Sequence, residues 1–381
     1  MTNTFANITP NSKPIRVLMS GGGTGGHIFP AIAIADEIKK RFPNAQFLFI
    51  GAEGKMEMEK VPQSGYNIVG LNIAGFDRGN LWSNVSLPSK IIASLWKARK
   101  TIKKFQPDFA IGTGGFASGP ALYVASKLGV PIFVQEQNSL PGKTNTFLAK
   151  NAKAVFTAYP EMDHFFGGTK TFFLGNPVRQ NIISGQVNGN AGKQKLGLDQ
   201  DKLTILSVGG SLGSRTLNNG WNQNIDIIID HDYQLIWQTG KTDYKSILAE
   251  TESLQYRNIQ IMEFIKHMEI AYSAADVIVS RAGAIAISEL AIAGKPVLLV
   301  PFPFAAEDHQ TKNAMTLVNK NAARMVKDSE MKEKFLPTLL EICNSESLRN
   351  EMSHNLEVFA KPKATEDIVS EILNMLNLNH S

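Results

Sequence analysis

The chain contains one cysteine, Cys343, among its 381 residues. A single cysteine excludes an internal disulfide and any zinc site built from several cysteines, and it fits a reducing compartment. The first residues, MTNTFANITPNSKP, lack the apolar run of a secretion signal, so we expect no signal peptide. The uncharged stretch 109–126 is broken by glycines and a proline, which favours a turn between elements over a membrane span.

Charged residues make up only 19% of the chain, whereas 43% are hydrophobic, which is typical of an ordinary globular protein. The length exceeds that of one typical core and predicts two domains. Residues 1–178 hold 19 Lys and Arg against 10 Asp and Glu, whereas residues 179–381 hold 20 against 24. The basic first half indicates contact with an anionic surface or substrate, although uneven charge that serves solubility explains the counts equally well.

Short β-branched or aromatic runs alternate with longer helical patterns, which indicates parallel α/β units. We predict strands near 15–20, 46–51, 67–71, 108–112, 131–135, 154–157 and 171–174, and again near 203–208, 233–238, 258–261, 276–279, 297–300 and 323–326. The pattern predicts an α/β fold of two Rossmann-like domains with a ligand cleft at the carboxyl ends of the strands. We expect a flexible tail at 1–13, domains at 14–178 and 179–362 that meet in a Gly- and Asn-rich linker, and a C-terminal helix at 363–381 that packs back on the first domain.

The segment GGGTGGHIFP at 21–30 follows the first predicted strand and opens a helix. A glycine turn between strand and helix aims backbone N–H groups at a phosphate. His27 borders this turn at a helix start, where a neutral imidazole is favoured and can accept a proton as a general base. A lone histidine is more often a capping or packing residue, so that simpler interpretation stays beside the catalytic one.

The same turn contains Gly21-x-Gly23-x-x-Gly26, which matches the dinucleotide fingerprint. An NAD enzyme is therefore an alternative. The acidic residue that this fingerprint requires would be Glu53, which comes late, after a Gly-Ala pair. We consequently favour a phosphate-binding turn of another kind.

Two further segments of the first half end predicted strands with polar or glycine-rich turns. GTGGFASGP at 112–120 would lie at the same sheet edge as the first turn, or serve only as a turn between core elements. VQEQNSLPG at 134–142 ends a strand with four polar side chains. Asn138 is the best hydrogen-bonding candidate among them, although turn capping explains it nearly as well.

The second half opens with a similar strand and glycine turn, GGSLGS, and its most informative stretch is SRAGAIAISELAIAGKP. A helix that begins near Ala284 can bind a diphosphate at its N-terminus, and Glu289, about one turn on, can accept two ribose hydroxyls. The alternative is an alanine-rich helix packed on a sheet with Glu289 exposed. His309, Gln310 and Asn313 are candidates for sugar contacts or for capping of the next helix.

Two Asp-x-Asp pairs, Asp199 with Asp201 and Asp230 with Asp232, match a divalent-metal pattern of some nucleotide-sugar enzymes. Both lie away from the glycine-turn edge, so charged loop residues are the better interpretation. A helix dipole can stabilise a leaving diphosphate without a metal, and we expect no metal site.

Residues 72–105 combine apolar and basic side chains. The predicted loop holds Ile73, Phe76, Leu81 and Trp82, and the helix after it carries Ile92, Leu95, Trp96 and Ile102 on one side, with Lys90, Lys97, Arg99, Lys100, Lys103 and Lys104 elsewhere. This pattern is typical of an interfacial membrane protein and equally of an ordinary amphipathic helix with a solvated basic face.

Six segments occur in register: GGGTGGHIFPA, GTGGFASGP, QEQN, GNPVR, GGSLGS and SRAGA…SELAIAGKP…HQ…NA. Over about residues 14–375, their order and spacing resemble the MurG family, bacterial glycosyltransferases of peptidoglycan synthesis. The resemblance implies a GT-B fold and transfer of GlcNAc from UDP-GlcNAc to the C4 hydroxyl of MurNAc in lipid I, which forms lipid II with inversion. It implies no cofactor and no nucleic acid.

The family's residues, matched one by one, imply His27 as the base. The acceptor diphosphate would be held by Gly22, Gly23, Gly114, Gly115 and Ser118. UDP-GlcNAc would be bound by Thr24, Gly25, Gly26, Asn138, Arg179, Ser211, Ile265, Ala284, Ile285, Glu289 and Gln310. Many relatives have Gln where this chain has Leu212, so a polar contact there is lost or replaced.

The resemblance further implies peripheral binding to the cytoplasmic face of the bacterial inner membrane, through an apolar patch with basic neighbours. This favours membrane contact for residues 72–105, with other proteins of cell-wall synthesis as further partners. Two alternatives stay open. A related GT-B enzyme with another lipid acceptor, such as a diacylglycerol glycosyltransferase, would share the donor half, and a non-catalytic UDP-sugar-binding protein would share the fold.

Overall fold

The computed structural model describes residues 13–73, 87–185, 189–210, 212–252 and 258–378. Its first sheet is formed by β1 (Arg16–Gly21), β2 (Gln46–Ala52), β3 (Asn67–Leu71), β4 (Phe109–Gly114), β5 (Ile132–Glu136), β6 (Ala154–Thr157) and β7 (Thr171–Phe173). The strands lie in the order β3-β2-β1-β4-β5-β6-β7, and all neighbours are parallel. Apolar residues on both faces of this sheet are buried under helices, as is usual for a parallel sheet.

The second sheet repeats this arrangement. It contains β8 (Thr204–Val208), β9 (Gln234–Gln238), β10 (Ile259–Met262), β11 (Val277–Ser280), β12 (Val297–Leu299) and β13 (Arg324–Met325). Their order is β10-β9-β8-β11-β12-β13, again with parallel neighbours. The strand order reverses beside β1 in the first sheet and beside β8 in the second, and α/β proteins bind ligands at such points.

Helices cover both sheets. In the first half they are α1 (Gly25–Arg41), α2 (Glu57–Gln63), α3 (Leu87–Phe105), α4 (Ser118–Lys127), α5 (Lys143–Ala149) and α6 (Gln180–Ser184). The following helices are α7 (Gly189–Lys195), α8 (Arg215–Asn222), α9 (Ile225–Asp230), α10 (Tyr244–Glu252), α11 (Met268–Ala274), α12 (Ala284–Ala293), α13 (His309–Val318), α14 (Met331–Asn344), α15 (Glu346–Leu356) and α16 (Ala364–Met375). No helix in the described ranges is both long and apolar enough to cross a membrane.

The strand predictions agree with the structure to within about two residues at each end, and the α/β fold of two Rossmann-like domains is confirmed. Buried runs such as VLMSG in β1 are short, apolar and bounded by turn residues, so their pattern is easily recognised.

The last helix, α16, packs on the first helix of the chain. Ile368 and Ile372 of α16 lie in the same buried cluster as Val17 and Met19 of β1. Arg41 at the end of α1 donates to Ser370 Oγ at 2.8 Å and to the Glu366 carbonyl at 2.9 Å. After the second sheet the chain therefore returns to the first.

The glycine turns after β1 and β4 are in direct contact. Gly22 N–H donates to the Gly114 carbonyl at 3.2 Å. A Cβ atom on Gly115, where φ is +90°, would lie 2.2 Å from the Gly22 carbonyl oxygen. Neither turn could approach the other so closely with a side chain at Gly115.

Replacing Gly115 with Ala should therefore destabilise the protein by about 1–3 kcal/mol from the positive φ alone, with the steric conflict adding to it. Gly119→Ala is the matched control, because a Cβ atom there meets only Thr144 Cγ2 at 3.6 Å. Urea unfolding of both variants measures the difference. Equal midpoints for Gly115→Ala and the unchanged protein would contradict the close approach of the turns.

Candidate active site

His27 lies between the two glycine turns, at the start of α1. Its ring is half-buried, and a Cβ atom on Gly114 would lie 2.9 Å from both Cε1 and Nδ1 of this ring. Nδ1 is 2.7 Å from Gln137 Oε1, and the His27 carbonyl accepts a 2.7 Å hydrogen bond from Thr113 Oγ1. The ring is thus held where β1, β4 and β5 end.

The first glycine turn already uses part of its hydrogen-bonding capacity. Gly23 N–H donates to Glu57 Oε2 at 2.9 Å, and Glu57 is fully buried. Gly22 N–H is bonded to Gly114, as described above. The unengaged donors in the described part of this turn are the N–H groups of Thr24, Gly25 and Gly26, where α1 begins. We therefore expect a bound anion to meet these three residues rather than the N–H groups of Gly22 and Gly23.

The second turn presents backbone rather than side-chain donors. Ser118 is fully buried, and its one hydroxyl proton is shared between the carbonyls of Ser20 and Gly114, each 2.8 Å from Oγ. Its hydroxyl proton is therefore committed within the protein. An anion at this turn can be bound by the backbone N–H groups at the N-terminus of α4, next to the exposed Phe116.

The QEQN segment forms the seam between the domains. The buried Glu136 carboxylate accepts from the N–H groups of Asn138 and Gly142 and from Asn145 Nδ2, at 2.8–3.0 Å. Across the seam, Asn313 Oδ1 accepts from Ser139 N–H at 2.9 Å, and Asn313 Nδ2 donates to Asn138 Oδ1 at 3.2 Å. Asn138 is thus held at the mouth of the cleft by contacts from both domains.

On the other side of the cleft, α12 begins at Ala284 after Gly283, and Ala284 and Ile285 are half-buried in its first turn. Gln310 Oε1 accepts from the N–H groups of Ala282 at 3.1 Å and Phe302 at 2.9 Å. Its Nε2 donors have no partner within the described residues. The side chain therefore joins two loops and still offers donors to a ligand.

Glu289 is 5% exposed, so the alternative of an exposed, uninvolved carboxylate is wrong. Arg179 binds it with two hydrogen bonds of 3.0 and 3.1 Å, and Tyr272 Oη donates to it at 3.3 Å. Burial alone lowers the pKa of Arg179, but the hydrogen bond and charge of Glu289 outweigh it and raise this pKa. Burial, together with the Glu289 charge, raises the pKa of Tyr272 well above its usual value.

Of the other residues singled out in the second half, the structure describes Ile265, Leu212 and His309. Ile265 is buried just after β10, and Leu212 is 81% exposed in the turn after β8. Ser211 lies outside the described residues. His309 begins α13. Its pKa is lowered, and burial is the main cause.

In each aspartate pair, one carboxylate bonds to a residue of these two loops. Asp199 Oδ1 accepts from Asp201 N–H at 3.0 Å, and Asp232 pairs with Lys202. Across the residues that the structure covers, no group of three or more His, Cys, Asp or Glu side chains is arranged to hold a metal ion.

Sequence reasoning missed four buried polar residues beside the predicted site: Glu57, Gln137, Asn176 and Tyr272. Asn176 stands in the GNPVR segment and Gln137 in QEQN, so their segments were noticed but not their roles. Glu57 and Tyr272 lie in helices with no local motif, so no short-range signal could have found them.

Two family models match most of the chain. Residues 17–157 match the glycosyltransferase family 28 N-terminal domain, and residues 204–368 match the family 28 C-terminal domain. These two stretches contain the first and second sheets, respectively, apart from the last strand of the first.

Curated relatives match over nearly the full length. A protein of Bacteroides fragilis, a UDP-N-acetylglucosamine–N-acetylmuramyl-(pentapeptide) pyrophosphoryl-undecaprenol N-acetylglucosamine transferase, is 48% identical over 95% of this chain and 96% of its own. One of the same name from Christiangramia forsetii is 47% identical over 95% and 98%.

The crystal structure of Acinetobacter baumannii MurG superposes with a TM-score of 0.80 at 31% identity, covering 95% of this chain and all of that one. The calicheamicin glycosyltransferase CalG4, at 12% identity and a TM-score of 0.68, shares the fold alone. The chain therefore belongs to glycosyltransferase family 28 and, within it, to the family of UDP-N-acetylglucosamine–N-acetylmuramyl-(pentapeptide) pyrophosphoryl-undecaprenol N-acetylglucosamine transferases.

Proposed function

We propose that this chain transfers GlcNAc from UDP-GlcNAc to the C4 hydroxyl of MurNAc in lipid I, forming lipid II with inversion at the transferred carbon. The observation that carries the mechanism is the half-buried His27 ring, which lies between two glycine turns at the edge of the cleft. A base at this position can reach a hydroxyl that backbone N–H groups hold through the acceptor diphosphate.

The donor binds the second domain in this proposal. Glu289 accepts the ribose hydroxyls, with Arg179 beside it and reaching the diphosphate region. The first turn of α12, at Ala284 and Ile285, faces the diphosphate, because helix N-termini favour negative charge. The remaining donor contacts are uracil with the backbone of Ile265, the nucleotide with Ser211, and the GlcNAc group with Gln310 and Asn138. Thr24, Gly25 and Gly26 also border the GlcNAc group, through atoms other than the N–H groups that meet the acceptor diphosphate.

The acceptor binds the first domain. Its diphosphate meets the N-termini of α1 and α4 around Gly114 and Gly115, while the buried Glu57 carboxylate keeps the deeper part of the first turn unsuitable for an anion. We assign these roles to residues 14–178 for the acceptor and 179–362 for the donor, with the C-terminal segment 363–381 bracing the acceptor domain.

The reaction is a single displacement. His27 takes the proton of the C4 hydroxyl while the hydroxyl oxygen forms a bond to C1 of GlcNAc. The bond between C1 and the diphosphate oxygen breaks, and UDP leaves with the electron pair on the opposite face of the sugar. The first N–H groups of α12 stabilise the charge that develops on the leaving diphosphate.

Membrane contact through α3 is the second part of the proposal. Ile92 is 59% exposed and Trp96 75% exposed, and Arg99 and Lys100 are exposed near them. A groove with a volume of about 320 Å³ lies between α3 and α4 beside these residues. Apolar side chains flanked by cations suit the interface of an anionic membrane.

Not every apolar residue of the predicted face takes part in this patch. Ile102 is buried in the core whereas Trp96 is exposed, so the prediction that they share one side of the helix is wrong. Phe76, Leu81 and Trp82 lie outside the described residues, and Ile73 packs partly buried against the core. The candidate patch is therefore Ile91, Ile92 and Trp96 with their basic neighbours.

Replacing His27 with Ala should lower kcat by about 10²–10⁴-fold, the range that general base catalysis supplies, and leave UDP-GlcNAc affinity unchanged. The measurement is transfer of radiolabelled GlcNAc to a water-soluble lipid I analogue in EDTA, with calorimetry for donor binding. His354→Ala, an exposed histidine of α15, is the control. Unchanged turnover in His27→Ala would remove this residue from the mechanism. If the unchanged protein transferred GlcNAc to diacylglycerol but not to the lipid I analogue, the acceptor would be reassigned.

Replacing Ile92 and Trp96 together with Ser should weaken binding to anionic vesicles about 10²-fold or more, because each buried apolar side chain contributes about 1.5–3 kcal/mol and about 1.4 kcal/mol is a factor of ten. Transfer to the water-soluble acceptor should not change. Val358→Ser, a 51% exposed residue of the second half, is the control in vesicle sedimentation. Equal sedimentation of the double variant and the control would contradict membrane binding through α3.

A further inference from the structure

We propose that Gln137 is a positioning residue that holds His27 in the tautomer with the proton on Nδ1, so that Nε2 is the nitrogen that accepts the proton of the sugar hydroxyl. This inference rests on the proposed role of His27 as the base. It adds a residue to which neither the motifs nor the matched family positions gave a role.

The orientation of the Gln137 amide is fixed by backbone carbonyls. Its Nε2 lies 2.8 Å from the Thr113 carbonyl oxygen and 2.9 Å from the Gln135 carbonyl oxygen. A carbonyl oxygen can only accept, so the atom facing both must be the NH₂ group, and a flipped amide would set oxygen against oxygen. Oε1 is consequently the atom that faces His27.

This orientation decides where the imidazole carries its proton. Gln137 Oε1 has no hydrogen and lies 2.7 Å from His27 Nδ1, so Nδ1 must donate. A neutral imidazole has one N–H, which leaves Nε2 with a free lone pair. Within the described residues, Nε2 has no hydrogen-bond partner in the protein, and it is therefore free to accept a proton.

The same contact persists through the reaction. When Nε2 takes the hydroxyl proton, Nδ1 keeps its own proton and its bond to Gln137. The ring needs neither rotation nor a new partner, and such preorganisation favours proton transfer at the moment of reaction.

The carbonyls of Thr113 and Gln135 hold Gln137 in place, and a chain of buried amides connects it to the second domain. Gln137 Nε2 also lies beside Gln135 Oε1, so its two hydrogens are shared among three acceptors. Gln135 Nε2 donates to Asn176 Oδ1 at 2.8 Å, and Asn176 Nδ2 donates to Ser288 Oγ at 3.0 Å. Gln135, Gln137 and Asn176 are each at most 1% exposed. Ser288 precedes Glu289 on α12, so the chain runs from the base to the helix assigned to the donor.

The neighbouring carboxylate is not the partner of His27. Glu136 directs its oxygens to Asn138, Gly142 and Asn145, as described for the seam. A neutral amide therefore orients the ring, and it does so without placing a counter-charge beside it. Gln137 can consequently set the tautomer while the charge balance of the acceptor site is left unchanged.

The test is ¹⁵N NMR of imidazole-labelled protein. The chain has 7 histidines, and the loss of one signal pair in His27→Ala assigns that of His27. We expect the wild-type Nδ1 resonance in the range of a protonated nitrogen and Nε2 in that of an unprotonated one. The reverse pattern in the wild type would overturn the proposal without any variant.

Gln137→Met tests the cause. It removes the acceptor for Nδ1, so a substantial fraction of His27 should move its proton to Nε2, and kcat should fall about 10–100-fold, part of what a general base supplies, with little change in KM for UDP-GlcNAc. Gln135→Met is the matched control. It removes a buried amide of equal size but leaves Gln137 bonded to the carbonyls of Thr113 and Gln135, so the tautomer should not change.

Three outcomes are informative. A tautomer change in Gln137→Met alone supports the proposal. An unchanged tautomer in that variant, or the same change in Gln135→Met, overturns it. A tautomer change without loss of kcat would support the positioning contact and overturn the role of His27 as the base, so the two failures are distinguishable.

Discussion

The close approach of two glycine turns is the constraint on which the candidate site depends. Parallel sheets bring the carboxyl ends of β1 and β4 to one edge, and the missing side chains let the backbone at Gly22 and Gly115 come into contact. His27 fills the space beside them. Backbone geometry therefore fixes the start of α1 that carries His27, and the Gln137 side chain contacts its ring.

Buried neutral amides connect this edge to the second domain. Gln135, Gln137 and Asn176 have hydrogen-bond partners, and buried amides cost little when they are paired. The charged groups of the seam are fixed differently, because Glu136 is surrounded by N–H donors and Glu289 is paired with Arg179. Each side of the cleft thus contributes a binding surface and also hydrogen bonds that hold residues of the other side.

Local sequence was sufficient to predict where the strands and helices lie and which residues border the glycine turns. The strands are short apolar runs between turn residues, and His27 and Glu289 each sit at a fixed distance from a helix start. Glu57 and Tyr272 act across long sequence separations, and no pattern in their helices shows it. Ile102 was misassigned because a helix facing both core and solvent has two apolar sides, which spacing alone does not separate.

The most direct test of the account is a crystal structure of the complex with UDP and a water-soluble lipid I analogue, a pair that cannot react because the sugar to be transferred is absent. We predict the acceptor C4 hydroxyl oxygen within about 2.6–3.2 Å of His27 Nε2, or one water away, with its diphosphate at the N-termini of α1 and α4. A MurNAc ring bound away from His27, or a diphosphate held by the second domain, would contradict it.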